Sequence, residues 1–137
     1  MVAGGYEENN FFKSVEIVYP DGRIEQGTEM PKPRRSHCME KLDDTRVIII
    51  SGYEYEGGKG KKTVTTLIYD SSKDTYTPGP SLKKARASMA CGVFTSSLLR
   101  TQLLMVAGGS GGSNSVEYLD FKRAYDLGWQ KGKYQLT

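Results

Sequence analysis

The pentapeptide Met-Val-Ala-Gly-Gly occurs twice, at Met1–Gly5 and again at Met105–Gly109. The copies lie 104 residues apart, twice 52, so a third unit is expected midway. Ile48-Ile49-Ile50-Ser51-Gly52 sits there, an apolar run ending in small residues. Such repetition constrains the fold more than any composition value. A unit of this size cannot bury its apolar face alone and must stack on its neighbour. The rest of the unit repeats in fixed register. From anchors at Ile24, Tyr76 and Trp129, a glycine follows three residues on (Gly27, Gly79, Gly132) and an apolar residue six on (Met30, Leu82). An arginine follows ten on, at Arg34 and Arg86. The spacing from Gly5 to Val15, Gly52 to Thr65 and Gly109 to Val116 varies instead. Fixed spacing points to packed structure and variable spacing to loops.

The segments 15–19, 65–69 and 116–120 are rich in β-branched, aliphatic and aromatic residues, with Glu16 and Glu117 at the same place in two of them. The runs 47–51 and 103–107 are continuously apolar, as strands covered on both faces are. Pro31, Pro33, Pro78 and Pro80 cluster after the anchors, where proline marks an edge or a connection. No window shows an apolar period of 3.6. The chain reads as all-β, with four short strands per unit. Its 137 residues suit one domain, and 37% hydrophobic residues with a net charge of +3 exclude disorder and a strongly basic nucleic-acid footprint. No run approaches the length of a transmembrane helix and no signal peptide shows, so a membrane partner is not expected. Two cysteines do not make a disulfide scaffold, and a reducing, cytoplasmic compartment fits.

These residues resemble the kelch repeat, the unit of kelch β-propellers. The resemblance lies in the glycine pairs Gly4-Gly5, Ser51-Gly52 and Gly108-Gly109, in Tyr69-Asp70, in Trp129, and in Pro31-Lys32-Pro33-Arg34-Arg35-Ser36-His37. Ser51, Ile24, Tyr76, Ala85 and Met89 depart from the family pattern but keep bulk where bulk is needed. The resemblance implies a partial propeller of three blades over residues 1–137. Blade one (1–33) is incomplete and begins at its second strand; blade two covers 34–85 and blade three 86–137. Propellers close with four to eight blades. The remaining blades of a longer parent, or self-association of the chain expressed alone, are therefore expected. In the family the arginine equivalent to Arg34 and Arg86 ties adjacent blades, and the large anchor packs between them.

Sharper chemical readings fail on spacing. The stretch 56–63, Glu-Gly-Gly-Lys-Gly-Lys-Lys-Thr, lacks phosphate-loop spacing and leads into a strand, so it reads as a flexible basic loop. The Gly108–Ser113 stretch lacks dinucleotide spacing and a βαβ unit, and no cofactor is expected. His37 is the only histidine, and His37 and Cys38, as strand neighbours, point to opposite faces, so neither a metal centre nor a serine nucleophile with its base is expected. Cys38 and Cys91 fall 14 and 15 residues past their anchors, one residue out of register. They are expected to face differently, which disfavours a disulfide between them and leaves buried free thiols as the default.

Exposed aromatics in the loops after the glycine positions carry the functional reading. Two alternatives stand: the rings contact a partner, or they fold back on their own blade. The expected contact face combines Tyr6, Asn9, Asn10, Phe12, Tyr53, Tyr55, Ser110 and Asn114 from loops between second and third strands with Arg35, Ser36 and Ser88 from the inter-blade connections. Lys73 and Lys122 belong to the opposite face. The chain is thus expected to be a protein-interaction module binding a protein or peptide, not an enzyme. The resemblance implies substrate receptors of cullin ubiquitin ligases and actin-binding scaffolds. It also implies, as alternatives, a kelch-type oxidase or metal-dependent enzyme, or an extracellular carbohydrate-binding propeller.

Overall fold

The computed structural model describes residues 1–8, 10–111, 114–121 and 128–132. The fold is all-β, built from small antiparallel sheets. Sheet one holds β1 (Val2–Glu7), β2 (Asn10–Val18) and β3 (Ile24–Gly27), in that order. Sheet two holds, from one edge to the other, β5 (Cys38–Lys41), β6 (Arg46–Ile50), β9 (Thr66–Asp70) and β10 (Thr75–Gly79). Sheet three repeats that order with β11 (Ala90–Ser96), β12 (Thr101–Ala107), β13 (Val116–Asp120) and β14 (Gln130–Lys131). The strands expected at 47–51, 65–69, 103–107 and 116–120 are found, displaced by at most two residues at their ends.

Period-two alternation sorts each strand's side chains between two cores. From the central strand β6, Ile49 points to sheet one and packs with Ala3, Val15 and Met30. Its neighbours Ile48 and Ile50 point the other way and pack with Leu104, Val106, Leu119 and Trp129 of sheet three. The continuous apolar run is therefore a strand buried on both faces. Burial of each such side chain stabilises by about 1.5–3 kcal/mol.

The repeated register also repeats the contacts between sheets. The indole Nε1 of Trp129 donates to the Pro80 carbonyl at 2.9 Å, and the hydroxyl of Tyr76 donates to the Thr28 carbonyl at 2.8 Å. Pro80 and Thr28 are 52 residues apart, so each anchor reaches back to the same point of the preceding unit. Asp74 latches the same junction: it accepts the Thr28 N–H at 2.9 Å, the Thr28 hydroxyl at 2.7 Å and the Tyr69 hydroxyl at 2.6 Å. Those donors hold its carboxyl below the usual range, and burial together with Asp74 pushes Tyr76 up to about 12.

Two expectations are overturned. The stretch 53–62 is not a flexible loop. It forms β7 (Tyr53–Glu56) and β8 (Lys59–Lys62), which with β4 (Arg34–Arg35) make a fourth, three-stranded sheet in the order β4-β7-β8. Gly57 and Gly58 have φ of 59° and 81°, the two consecutive positive values of a tight two-residue hairpin turn, which glycine adopts without strain. Likewise β1 and β2 run on into a hairpin beyond the sheet-one core.

The second correction concerns the cysteines. Cys38 and Cys91 form a disulfide, with Cα atoms 6.3 Å apart. The one-residue register offset does turn the two side chains to opposite faces of their units. The units stack face to face, however, so the forward face of one meets the backward face of the next. Cys38 pairs with Ile50 and Cys91 with Val106, and both sit on the core between sheets two and three. An odd offset is what brings such residues together. The free-thiol argument for a reducing, cytoplasmic compartment falls with it.

Candidate interaction face

The connections between sheets and the turns leaving the second strand of each unit meet at one end of the molecule. Glycine makes this possible. A Cβ on Gly52 would lie 2.5 Å from the Arg35 carbonyl oxygen, and one on Gly109 would lie 2.6 Å from that of Ala87. The same backbone approach recurs in both units. Ser51 turns it into a bridge: its hydroxyl oxygen lies 2.6 Å from the Arg86 carbonyl, and the Gly52 N–H donates to that carbonyl at 2.9 Å.

Two buried arginines brace this end. Arg34 Nη1 donates to the carbonyls of Ser51 (2.7 Å) and Thr65 (3.1 Å), and Nη2 to the Thr65 hydroxyl (2.8 Å) and the Glu54 carboxylate. Arg86 does the same with the carbonyls of Gly108 (2.9 Å) and Ser115 (3.1 Å), the Ser115 hydroxyl (3.0 Å) and Glu117 (2.9 Å). The Glu117 carboxylate also accepts the N–H groups of Lys83 and Lys84. Both arginines are frame, not ligand contacts.

His37 lies in the connection immediately before β5, beside Ala3 and Gly4. Burial and the charge of Arg34 push its imidazole down to about 4, against a smaller opposing effect of a hydrogen bond to the Ala3 backbone. The unfolded chain therefore binds a proton that the folded chain refuses between pH 6.5 and 4. The stability due to neutral His37 is complete above pH 6.5 and is lost as pH falls, by about 2–3 kcal/mol. Urea titrations at pH 7 and 5 should show this loss, and His37→Met, the residue at the matching position 89, should flatten it. Parallel profiles for the two proteins would refute the assignment.

On this frame the hairpins of units one and two bring three rings around one cation, with a fourth stacked behind. The Arg35 guanidinium lies 4.6 Å from the centre of the Tyr6 ring, 4.9 Å from Phe11 and 4.8 Å from Tyr53. Phe11 and Tyr55 stack at 5.0 Å, and Tyr6 meets Phe11 edge-on at 6.0 Å. Gly60, opposite Tyr55 on β8, leaves room for Phe11. Each cation–ring contact contributes about 0.5–2 kcal/mol. The rings thus fold onto one another, within the unit-one hairpin (Tyr6 on Phe11) and across to the neighbouring one (Phe11 on Tyr55). Tyr6 nevertheless stays 51% exposed and Tyr55 36%.

The other expected residues distribute around this cluster. Phe12 lies on the opposite side of β2 from Phe11, 38% exposed, and Asn10 is exposed at the hairpin tip. Asn9 and Lys122 lie outside the described residues. Ser36 and Ser88 share a φ of 53° and are joined by the Ser88 N–H donating to the Ser36 carbonyl at 2.9 Å. Ser110 pairs with Ala87, and its hydroxyl accepts from Lys62 Nζ at 3.2 Å. Asn114 is exposed in the adjacent turn. Lys62 pairs with Tyr53, so the strip from Tyr6 through Arg35 and Tyr53 to Ser110 is continuous. Lys62 and Glu54 were not expected here. The signal for them was the alternation of Tyr53-Glu54-Tyr55-Glu56 and Lys59–Lys62 about Gly57-Gly58, a hairpin pattern. Among the described residues no three of His, Cys, Asp and Glu group as metal ligands. No protein-family model matches the chain, and no curated protein matches it.

Proposed function

We propose that the three stacked sheets are blades of a kelch-type β-propeller arc and that the chain is a protein-interaction module. It binds a protein or peptide on the face carrying the two hairpins. The observation that supports this reading most is the cluster of Tyr6, Phe11 and Tyr53 held around Arg35, with Tyr55 stacked on Phe11, on a repeated, braced frame. Tyrosine and arginine are the residues that most often dominate binding energy. Here they are preorganised, so a partner need not order them. The substrate-receptor and actin-scaffold roles implied by the kelch resemblance would use this same face.

The test is a peptide-display selection against the chain, with hits measured by calorimetry. Tyr6→Ala and Tyr55→Ala, the most exposed rings of the cluster, should each weaken the selected ligands tenfold or more with little change in melting temperature. Lys73→Ala, in the turn between β9 and β10, should have no effect. Ligands that lose affinity with Lys73→Ala and ignore both tyrosine variants would overturn the assignment.

A further inference from the structure

The β7–β8 hairpin leaves one strand edge open. In it Glu56 pairs with Lys59, Tyr55 with Gly60, Glu54 with Lys61 and Tyr53 with Lys62. The Thr63 N–H donates to the Gly52 carbonyl at 3.0 Å, and the Tyr55 N–H turns away from β8 to the Pro33 carbonyl at 3.0 Å. Antiparallel pairs alternate between bonded and non-bonded. Lys59 and Lys61 therefore bond inward to β7, while the N–H and carbonyl groups of Gly60 and Lys62 point outward. Among the described residues no strand pairs with that outer edge. The units on both sides are nevertheless present: Phe11 of unit one packs over Gly60, and the Ser110 hydroxyl of unit three accepts from Lys62.

The charges along this edge are unbalanced. Glu54 and Glu56, directly opposite Lys61 and Lys59, are engaged elsewhere: Glu54 pairs with Arg34, and Glu56 with Lys32 at 3.0 Å. Lys59 and Lys61 are exposed and make no ion pair among the described residues, whereas Lys13, Lys32, Lys41 and Lys73 each pair with a carboxylate. Lys83 and Lys84, also exposed and without an ion pair among the described residues, extend the positive strip. Gly111 stands between Lys62 Nζ and the Ala85 carbonyl and so brings that connection beside β8.

We propose that the free edge of β8 takes an extended acidic segment of a partner protein as an added strand. The proposal rests on reading this end as the binding face and names the partner's chemistry. The backbone groups of Gly60 and Lys62 supply the ladder, and carboxylates placed opposite Lys59 and Lys61 supply the selectivity. Lysine on an edge deters the pairing of like strands. Two copies of β8 side by side would set lysines against lysines, so the occupant is not this strand of a second copy. An acidic strand meets no such repulsion. It brings the countercharge that Glu54 and Glu56 give to Arg34 and Lys32 instead.

The probe is a short fluorescent peptide alternating threonine and glutamate, titrated into the 137-residue protein by anisotropy. Saturable binding is expected, with the amides of Gly60 and Lys62 gaining protection from hydrogen exchange. The double variant Lys59→Gln with Lys61→Gln should bind at least tenfold more weakly at an unchanged melting temperature, because both side chains are exposed. N-methylating the threonine amides, which face β8 when the glutamates stand opposite the lysines, should abolish binding, and N-methylating the glutamate amides should not. Absence of saturable binding, indifference to the lysine changes, or equal loss from both methylations overturns the proposal. So does a single-stranded RNA oligonucleotide that binds more tightly with the same lysine dependence, or a dimer in sedimentation that the double variant dissociates. The occupant would then be a nucleic acid or a second copy. Tyr55→Ala separates this proposal from the aromatic contact. Display-selected ligands that need Tyr55 but ignore both lysines keep the aromatic contact and remove the added strand. Peptide binding that needs the lysines and ignores Tyr55→Ala does the reverse.

Discussion

Replacing Trp129 with alanine should lower the free energy of unfolding by about 3–5 kcal/mol, a large part of the 5–15 kcal/mol that ordinary domains have. The ring is 1% exposed at the junction of sheets two and three, where Ile48, Ile50, Ile68, Leu82, Leu104, Val106 and Leu119 form the core. Truncation removes that contact area and leaves a cavity. It also takes one of two donors from the Pro80 carbonyl, leaving it the Thr66 hydroxyl at 3.0 Å. The matching change at Ile24, 60% exposed, should cost less than about 1 kcal/mol. Urea unfolding of the two variants side by side measures the contrast. Equal losses would show that the anchor position does not work by burial between sheets.

Arg86→Ala should be comparably damaging, at about 3–5 kcal/mol, because it strands a charge. The side chains of Arg86 and Glu117 are 0% and 1% exposed. Without the guanidinium, Glu117 keeps the N–H groups of Lys83 and Lys84 but has no countercharge, and the carbonyls of Gly108 and Ser115 lose their shared donor. Arg34→Ala should cost less. Its carboxylate partner, Glu54, lies on a hairpin with a 16% exposed side chain that water can reach once the arginine is gone. The double variant Arg86→Met with Glu117→Leu should recover most of the loss, since an apolar pair of similar volume carries no buried charge. The control is natural: Leu67 fills the position of Glu117 in sheet two. Denaturant titrations giving Arg86→Ala and Arg34→Ala the same small effect, under 1 kcal/mol, would refute this account.

The two arginines also show where sequence reading reaches its limit. Their positions ten residues past the anchor are written in the chain, and so is the structural role that spacing suggests. The carboxylate each one meets is not. In sheet three it comes from the strand, at Glu117; in sheet two that place is Leu67, and Glu54 reaches in from a hairpin whose path no fixed spacing records.

What the sequence by itself determined was the content of each unit: a repeat near 52 residues, all-β strands at stated positions, a central strand covered on both faces, and anchors at regular places. Such information is local, because side-chain parity along one strand and fixed spacing along one chain are properties of consecutive residues. Tertiary structure alone decided what lies between units. It laid the 53–62 hairpin against the hairpin of the preceding unit, stacking Tyr55 on Phe11, and it gathered rings from two units around Arg35. It joined Cys38 to Cys91 although each occupies a different place in its own repeat. The physical reason is common to all three. When sheets stack face to face, the forward side of one unit meets the backward side of the next, so partners are selected by opposite parity and by loop path, and neither is visible within a single unit.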